Sequence, residues 1–204
     1  MTALADEAGL RGVYKLPKAG AVGKDMARID GHFAHFISLS PFLCMGTSGL
    51  DGAGDVSPRG GEPGFVHVID EKTLAMPDRP GNNRLDSLTN ITGNPGVGLL
   101  FFIPGFEDTL RVNGFARLTT DPGLMQRFTQ DGKLPRSVML IEVAEAYLHC
   151  AKAIIRSGLW NPERHVDRNT FPTAGEIYRD QLKLEMEAAT IDTALEKEAK
   201  DNLY

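Results

Sequence analysis

The sequence predicts a mainly β protein, built as an antiparallel barrel with helices between and around its strands. The first observation behind this prediction is a series of six or seven short runs between residues 41 and 150 that are apolar or alternate apolar with polar residues. Each run is bounded by Gly, Asp or Pro, as in antiparallel strands joined by tight turns. The second observation is that the chain carries no Walker or GxGxxG motif, so no nucleotide-binding signature favours a parallel α/β sheet.

A helix precedes the first predicted strand. Apolar residues at helical spacing from Ile29 to Ile37 predict this helix, and Pro41 ends the pattern. Asp51–Gly52 predicts a hairpin turn between the first two strands. The predicted strands lie at residues 41–48, 54–59, 65–70, 73–77, 97–104, 108–119 and 138–150.

Further helices are predicted outside the strands. One spans residues 82–91, and a short one begins near Asp121–Pro122, with Asp as cap and Pro in the first turn. From Ala174 to the end, a highly charged segment predicts one terminal helix. A partner chain would cover its weak apolar stripe, although a solvated terminal helix is an equal alternative. The stripe consists of Ile177, Leu184, Ile191 and Leu195.

Composition restricts the function classes. A chain of 204 residues with 42% hydrophobic side chains is long enough for one well-cored domain. Its net charge of −5 argues against general nucleic-acid binding, which needs a basic face. Cys44 and Cys150 lie far apart and flank no metal-binding spacing, so neither a metal site nor a disulfide framework is predicted. With no unbroken apolar run of about 18 residues, we expect a cytoplasmic protein without a membrane segment.

The segment Met76–Asn90 is a candidate phosphate site. Its sequence, MPDRPGNNRLDSLTN, crowds arginine, amide and hydroxyl side chains around a tight turn that opens into a helix. Arg79 and Arg84 bring positive charge, while free backbone N–H groups at a helix start point toward an anion. The alternative is that both are surface arginines beside a glycine turn.

Three motifs in fixed order resemble a known family. They are DVSPRGG at 55–61, MPDRPGNNR at 76–84 and TLRVNGFARL at 109–118, followed by a late segment with Trp and Arg. Together they resemble the pyridoxamine 5′-phosphate oxidase-like flavoproteins of the FMN-binding split-barrel fold, and more narrowly a subgroup of FMN-dependent enzymes of unknown substrate. The resemblance covers roughly residues 28 to 160.

The resemblance implies a fold and a domain organisation. The fold is a split antiparallel β-barrel of Greek-key type with flanking helices. Residues 1–27 would form an N-terminal extension, residues 28–160 the flavin-binding domain, and residues 161–204 a C-terminal loop and helix that packs on a dimer.

The resemblance also implies which residues bind FMN. In DVSPRGG, Ser57 and Arg59 share one side of a strand and would face the ligand, while Pro58 lacks an N–H donor and marks an edge or a bulge. The backbone of Pro77 and Asp78 would contact the flavin, and we expect the Asp78 side chain to pair with Arg79 or Arg84. The phosphate would be held by the turn residues Arg79, Asn82, Asn83 and Arg84, with the Ser87 hydroxyl one helical turn further on.

Residues near the end of the domain complete the implied site. Thr109 occupies the family position of an amide that bonds the flavin pyrimidine edge. Arg111 would supply positive charge there, or else pair with Glu107 or Asp108 on the surface. Arg156 and Trp160 match a segment that related oxidases bring across from a second subunit, although Trp160 fits an ordinary core or interface position equally well. The Arg-containing ending of pyridoxamine-phosphate oxidases is not present, so turnover of pyridoxamine phosphate is not expected.

The resulting functional hypothesis is an FMN-dependent oxidoreductase. A homodimer would hold two FMN sites at the subunit interface, and hydride would pass at flavin N5 to or from a small molecule rimmed by Arg59, Arg156 and Trp160. No side chain need act as a catalytic base, and NAD(P)H is a candidate electron donor. Alternatives are a flavin-binding protein without turnover, a deazaflavin-dependent reductase, and a haem-binding protein with an axial histidine. The candidate axial ligands are His32, His35 and His149.

Overall fold

Seven antiparallel strands form one sheet in the part of the chain that the structure, a computed structural model, describes: residues 4–18, 20 and 23–203. The strands are β1 Phe42–Ser48, β2 Gly54–Gly60, β3 His67–Asp70, β4 Thr73–Asp78, β5 Gly96–Phe102, β6 Thr109–Thr119 and β7 Ser137–His149. Their order in the sheet is β2-β1-β5-β6-β7-β4-β3, and every neighbouring pair is antiparallel. The predicted mainly β antiparallel fold is confirmed.

The helices lie before, between and after these strands. Asp30 and Asp121 each accept a backbone N–H three residues on, which caps the helix that follows. No helix in the described ranges is long and apolar enough to cross a membrane. The helices are α1 Glu7–Val13, α2 Gly31–Leu39, α3 Asp86–Gly93, α4 Pro122–Gln126, α5 Lys152–Ser157, α6 Ala174–Leu182 and α7 Ala188–Asp201.

The hydrophobic core lies inside the curved sheet. In β5, Val97, Leu99 and Phe101 are buried and alternate with more exposed neighbours, which is the period of a strand with one face inward. Helix α2 adds Phe33 and Ile37 to the same buried cluster. Strands β1, β5, β6 and β7 thus form the centre of the sheet, and β2 and β4 pair with its two sides.

Strand β2 forms one edge of the sheet and lies close to the end of β4. Strand β2 pairs only with β1 among the described strands, which confirms the edge predicted from Pro58. The sheet curls so that Arg59 of β2 meets Asp78 at the end of β4, with Arg59 Nη1 and Asp78 Oδ1 3.3 Å apart. The barrel is thus split along a seam between β2 and β4, and this seam opens the cleft described below.

The C-terminal segment forms two helices, so the prediction of one terminal helix was wrong. Lys183 adopts the left-handed conformation with φ 52° and ends α6, and α7 begins at Ala188. The break lets the two helices pack on each other as a hairpin. A Cβ on Gly175 would lie 2.2 Å from the carbonyl oxygen of Ala188, so glycine permits this close approach. Ile191 is buried between the helices, while Leu184 lies exposed in the break.

His67 on edge strand β3 is expected to contribute to the pH dependence of stability. Its ring stacks on Phe128 with centroids 4.1 Å apart, and burial, together with the charge of Arg127, lowers the pKa of the imidazole from 6.5. The unfolded chain therefore takes up a proton more readily than the folded protein. The stabilisation is complete above pH 6.5 and is lost as the pH falls through this value toward the lower folded pKa.

Urea unfolding at about pH 7.5 and about pH 5 measures this contribution. His67→Gln should lose less free energy of unfolding on acidification than the wild type, while the exposed His165→Gln should behave like the wild type. Equal losses in the wild type and in His67→Gln would exclude His67 as the source.

Candidate functional site

A cleft of about 250 Å³ opens at the seam between β2 and β4. Its walls are β2, the end of β4, the turn of residues 79–85 (the arginine turn), the first turn of α3 and Arg136 before β7. Pro77 precedes the cleft on β4, where it pairs with Val138. Of the residues predicted to hold a cofactor, the cleft is lined by Ser57, Pro58, Arg59, Asp78, Arg79, Asn82, Asn83, Arg84 and Ser87.

Strand β2 presents one polar face to the cleft. Asp55, Ser57 and Arg59 are half-buried, while Val56 and Pro58 between them are exposed. This alternation places three side chains on one side of the strand, as predicted for Ser57 and Arg59. Asp55 lies on the same side of the strand but was not predicted as a site residue. Its position two residues before Ser57 in the motif DVSPRGG could have indicated this.

Arg59 and Asp78 form an ion pair across the seam. Arg59 Nη1 donates to Asp78 Oδ1 at 3.3 Å, so the predicted pairing of Asp78 with Arg79 or Arg84 was wrong. The curl of the sheet, invisible in the sequence, brings β2 closer to Asp78 than its chain neighbours. Burial raises the pKa of the Asp78 carboxyl, and the charges of Arg59 and Arg136 oppose that rise. Arg59 Nε is buried and has no hydrogen-bond partner among the described residues.

The arginine turn delays the start of α3. Asn83 and Leu85 adopt left-handed conformations with φ 58° and 63°, so the helix predicted from residue 82 begins at Asp86. Leu85 provides no side-chain cap within the described structure, whereas Asp30 caps α2. The first backbone N–H groups of α3 therefore lack both an intrahelical acceptor and a capping side chain, and the residues that carry them line the cleft. Strained non-glycine residues of this kind concentrate at ligand-binding segments.

Four arginines line the cleft: Arg59, Arg79, Arg84 and Arg136. Arg79 Nη2 donates to the carbonyl oxygen of Phe128 at 2.9 Å, and Arg136 Nη1 donates to Asn83 Oδ1 at 2.9 Å. Arg136 has no local signal in the sequence, because the pairing of β4 with β7 brings it to the turn. The cleft combines these four arginines with three carboxylates, those of Asp55, Asp78 and Asp86, which leaves a formal charge of +1 in a protein whose net charge is −5.

Arg84 is an exposed member of this set. Its side chain is 73% exposed, and its Nε donates to Asp86 Oδ2 at 2.8 Å. The hydrogen bond and charge of Asp86 raise the pKa of the guanidinium, and the charge of Asp55 adds to that effect. Arg84 can therefore swing toward a ligand, because an exposed ion pair of this kind costs little to exchange.

The hydroxyl of Ser87 is already engaged. Ser87 Oγ donates to Asp55 Oδ2 at 2.8 Å, and Thr47 Oγ1 lies 3.3 Å from the same oxygen. Ser87 and Thr47 are buried, so this carboxylate ties the first turn of α3 to strands β1 and β2. The hydroxyl predicted to reach a phosphate points instead to a carboxylate.

Four predicted residues lie outside this cleft. Thr109 is buried at the start of β6, and Arg111 Nη1 donates to Tyr147 Oη at 2.7 Å rather than pairing with an acidic neighbour. Trp160 Nε1 donates to the carbonyl oxygen of Phe106 at 2.7 Å. Arg156 is exposed on α5. Within one protomer, these four residues therefore do not line the cleft that contains the arginines.

The histidines are also placed apart from the cleft. His32 and His35 are exposed on α2, and His149 is half-buried at the end of β7. Burial lowers the pKa of His149, and Arg111 and Lys24 add to that effect. The described residues contain no group of three or more His, Cys, Asp or Glu that could hold a metal ion.

One solved structure shares this fold at low sequence identity, and others match the chain with lower TM-scores. A histidine-to-alanine variant of HupZ from Group A Streptococcus matches with 16% identity and a TM-score of 0.50, covering 59% of this chain and 99% of that chain. General Stress Protein 26 from Bacillus anthracis matches with 16% identity and a TM-score of 0.43, covering 57% and 93%. HutZ, a heme storage protein from Vibrio cholerae, matches with 13% identity and a TM-score of 0.43, covering 59% and 94%. These likenesses concern the fold alone.

The sequence comparison identifies the family. No curated protein matches this chain. The family model described as pyridoxamine 5′-phosphate oxidase matches residues 29–150, which is more than half of the chain and spans the whole seven-stranded sheet. The chain therefore belongs to the pyridoxamine 5′-phosphate oxidase family, and its antiparallel sheet has the split-barrel fold of that family.

Proposed function

We propose that the cleft binds FMN and that the protein is an FMN-dependent oxidoreductase acting on a small molecule. The observation that carries this proposal is the combination of four arginines with the uncapped start of α3 in one cleft. A phosphate dianion is the ligand that such a set of charges and N–H groups favours. The family match supports a flavin rather than another phosphate ester, because flavin oxidoreductases are common on this fold.

The donor set of the cleft fits FMN. The phosphate would lie against the N–H groups of the first turn of α3, with Arg84 and Arg136 at its rim. Arg59 Nε is a buried donor without a partner in the described structure, and an unpaired buried donor costs free energy. A ligand acceptor at this position would form the missing hydrogen bond and remove that cost. Asn82 and Asn83 add amide groups near the polar chain of the ligand.

FMN, when bound, would supply the redox chemistry by accepting or giving a hydride at N5. The residues of this chain bind and orient the ligand. Arg59, held by Asp78, keeps a fixed positive charge at the seam, and the exposed Arg84 closes onto a ligand from solvent. No step in this scheme requires a side chain to move a proton.

We propose that a second copy of the chain completes the site. Arg111, Arg156 and Trp160 do not line the cleft of their own protomer, so they would serve the cleft of the partner, whereas Thr109 is buried within its own protomer. The α6–α7 hairpin supports a dimer, because its exposed apolar side chains would be covered by a partner. These side chains include Tyr178, Leu182, Leu184 and Met186. Sedimentation velocity would show a dimer; a monomer that binds FMN fully would contradict this part of the proposal.

Absorbance spectroscopy tests the cofactor. Protein as purified, and again after FMN is added and the excess removed, should show flavin bands near roughly 370 and 450 nm. Arg84→Ala should weaken FMN binding about five-fold and leave riboflavin binding unchanged, because the arginine meets only the phosphate. Arg179→Ala is the matched control, since Arg179 Nε also pairs with an aspartate at 2.9 Å but lies on α6 outside the cleft.

The same measurement separates the alternatives. A protein that stays colourless with FMN would exclude the proposal, and a strong Soret band after incubation with haem would replace it with haem binding. Tighter binding of a deazaflavin than of FMN would point to a deazaflavin-dependent reductase. If FMN binds, steady-state NAD(P)H oxidation by the loaded protein distinguishes an enzyme from a flavin-binding module.

A further inference from the structure

Asp55 places a negative charge in the wall of a cleft that otherwise favours anions. Its carboxylate oxygen Oδ2 accepts a hydrogen bond from Ser87 Oγ at 2.8 Å and lies 3.3 Å from Thr47 Oγ1. Ser87 is the second residue of α3, so the carboxylate sits beside the positive end of that helix. Asp55 thus brings a negative charge to the helix end that an external anion would approach.

Asp55 differs from the other two carboxylates of the cleft. Asp78 and Asp86 form ion pairs with Arg59 and Arg84, at 3.3 and 2.8 Å, so each of them offsets a nearby arginine. Asp55 instead hydrogen-bonds hydroxyl groups that carry no charge. Its charge nevertheless acts on Arg84 at the rim of the cleft. It raises the pKa of that guanidinium, in addition to the larger effects of Asp86.

We propose that Asp55 is a specificity-determining residue that limits how strongly the cleft selects a phosphorylated ligand. Any phosphate at the start of α3 would meet this carboxylate as well as the arginines, and like charges at such distances repel. Ser87 Oγ can donate to the phosphate only by leaving Asp55. The cleft therefore binds FMN with a smaller advantage over uncharged riboflavin than its four arginines alone would give. This inference rests on the proposed binding of FMN.

Riboflavin and FMN are the probes that isolate the phosphate. Dissociation constants for both are measured by quenching of flavin fluorescence with the full-length wild type and with Asp55→Asn. The asparagine oxygen still accepts from Ser87, so the anchor of α3 is kept while the charge is removed. We expect the ratio of the riboflavin to the FMN dissociation constant to rise about ten-fold in Asp55→Asn. Glu198→Gln, which removes one negative charge on the distant helix α7, should leave the ratio unchanged.

Two further measurements keep the outcomes distinct. If Asp55→Asn does not unfold cooperatively, Asp55→Ser removes the same charge with a smaller acceptor, and the ratio must rise in that variant. An unchanged or lower ratio in a folded variant would overturn the inference and leave Asp55 as an anchor of α3 only. A wild type that binds neither flavin would instead contradict the proposed function, before any variant is compared.

Discussion

Gly114→Ala is expected to lower the free energy of unfolding by about 3 kcal/mol or more. A Cβ at this position would lie 2.0 Å from the carbonyl oxygen of Glu142 and 3.0 Å from its carbonyl carbon. The register of β6 and β7 shifts between Asn113 and Gly114, so the backbone of β7 bends close to β6 here. Glu142 is paired on its other side with Thr73 of β4, and it cannot move away without breaking that pairing.

Urea unfolding followed by circular dichroism measures this effect. Gly46→Ala is the matched control, because Gly46 also lies inside a strand, but the nearest atom to its Cβ would be a carbonyl oxygen at 3.8 Å. The control should be within about 0.5 kcal/mol of the wild type. Equal stability of the Gly114 and Gly46 variants would mean that β7 can relax, and the close approach of the two backbones would not be required.

Arg59→Met is expected to weaken FMN binding about 100-fold. The substitution removes the only guanidinium that bridges the seam in the described structure, together with the buried Nε that has no protein partner there. A hydrogen bond to a charged group contributes about 1.5–3 kcal/mol, so the loss of these donors is large. Methionine preserves most of the apolar stem of the side chain, which limits the loss of packing.

The same substitution leaves Asp78 without its ion-pair partner. We expect Arg59→Met to lose about 2 kcal/mol of stability near neutral pH, because the half-buried carboxylate keeps its desolvation cost. Burial already raises the pKa of Asp78, so the folded state binds a proton more tightly than the unfolded chain. The contribution of Asp78 to stability is therefore complete below pH 3.8, the value for the unfolded chain, and it is lost as the pH rises through the higher folded pKa, more so in the variant.

The double variant Arg59→Met/Asp78→Asn separates binding from folding. Removing both charges should restore most of the stability and flatten its dependence on pH, while FMN binding stays weak. Recovery of FMN affinity in the double variant would show that Arg59 acts only by neutralising Asp78. Binding is measured by flavin fluorescence and stability by urea unfolding, so the two effects are read independently.

The regular elements could be predicted from the chain because their signals are local. Alternating burial in β5, the Asp51–Gly52 turn and the cap at Asp121 each depend on residues a few positions apart. Pro58, which lacks the N–H that a central strand needs, predicted an edge or a bulge in β2, and the structure shows the edge. Such signals set which segments become strands, and they do not set how the sheet curls.

The break in the terminal helix and the partner of Asp78 were mispredicted because both depend on packing. Lys183 ends α6 although lysine is a good helix former, since the hairpin buries Ile191 and brings Gly175 against α7. Asp78 pairs with Arg59, which is 19 residues away, rather than with Arg79 beside it. In both cases contacts between distant segments outweigh the local preference.

The strands of the barrel, the turn of residues 79–85 and the row formed by Ser57 and Arg59 could be read from neighbouring residues, because side-chain period, turn chemistry and charge are local properties of the chain. Folding was needed to bring Arg136 and Asp55 into this cleft, the first through the pairing of β4 with β7 and the second through its hydrogen bond with Ser87. The net charge around a ligand depends on side chains from several segments, which come together only when the sheet curls. Candidate hydrogen-bond donors of the site can therefore be predicted from the sequence, whereas the net charge of the cleft depends on the fold.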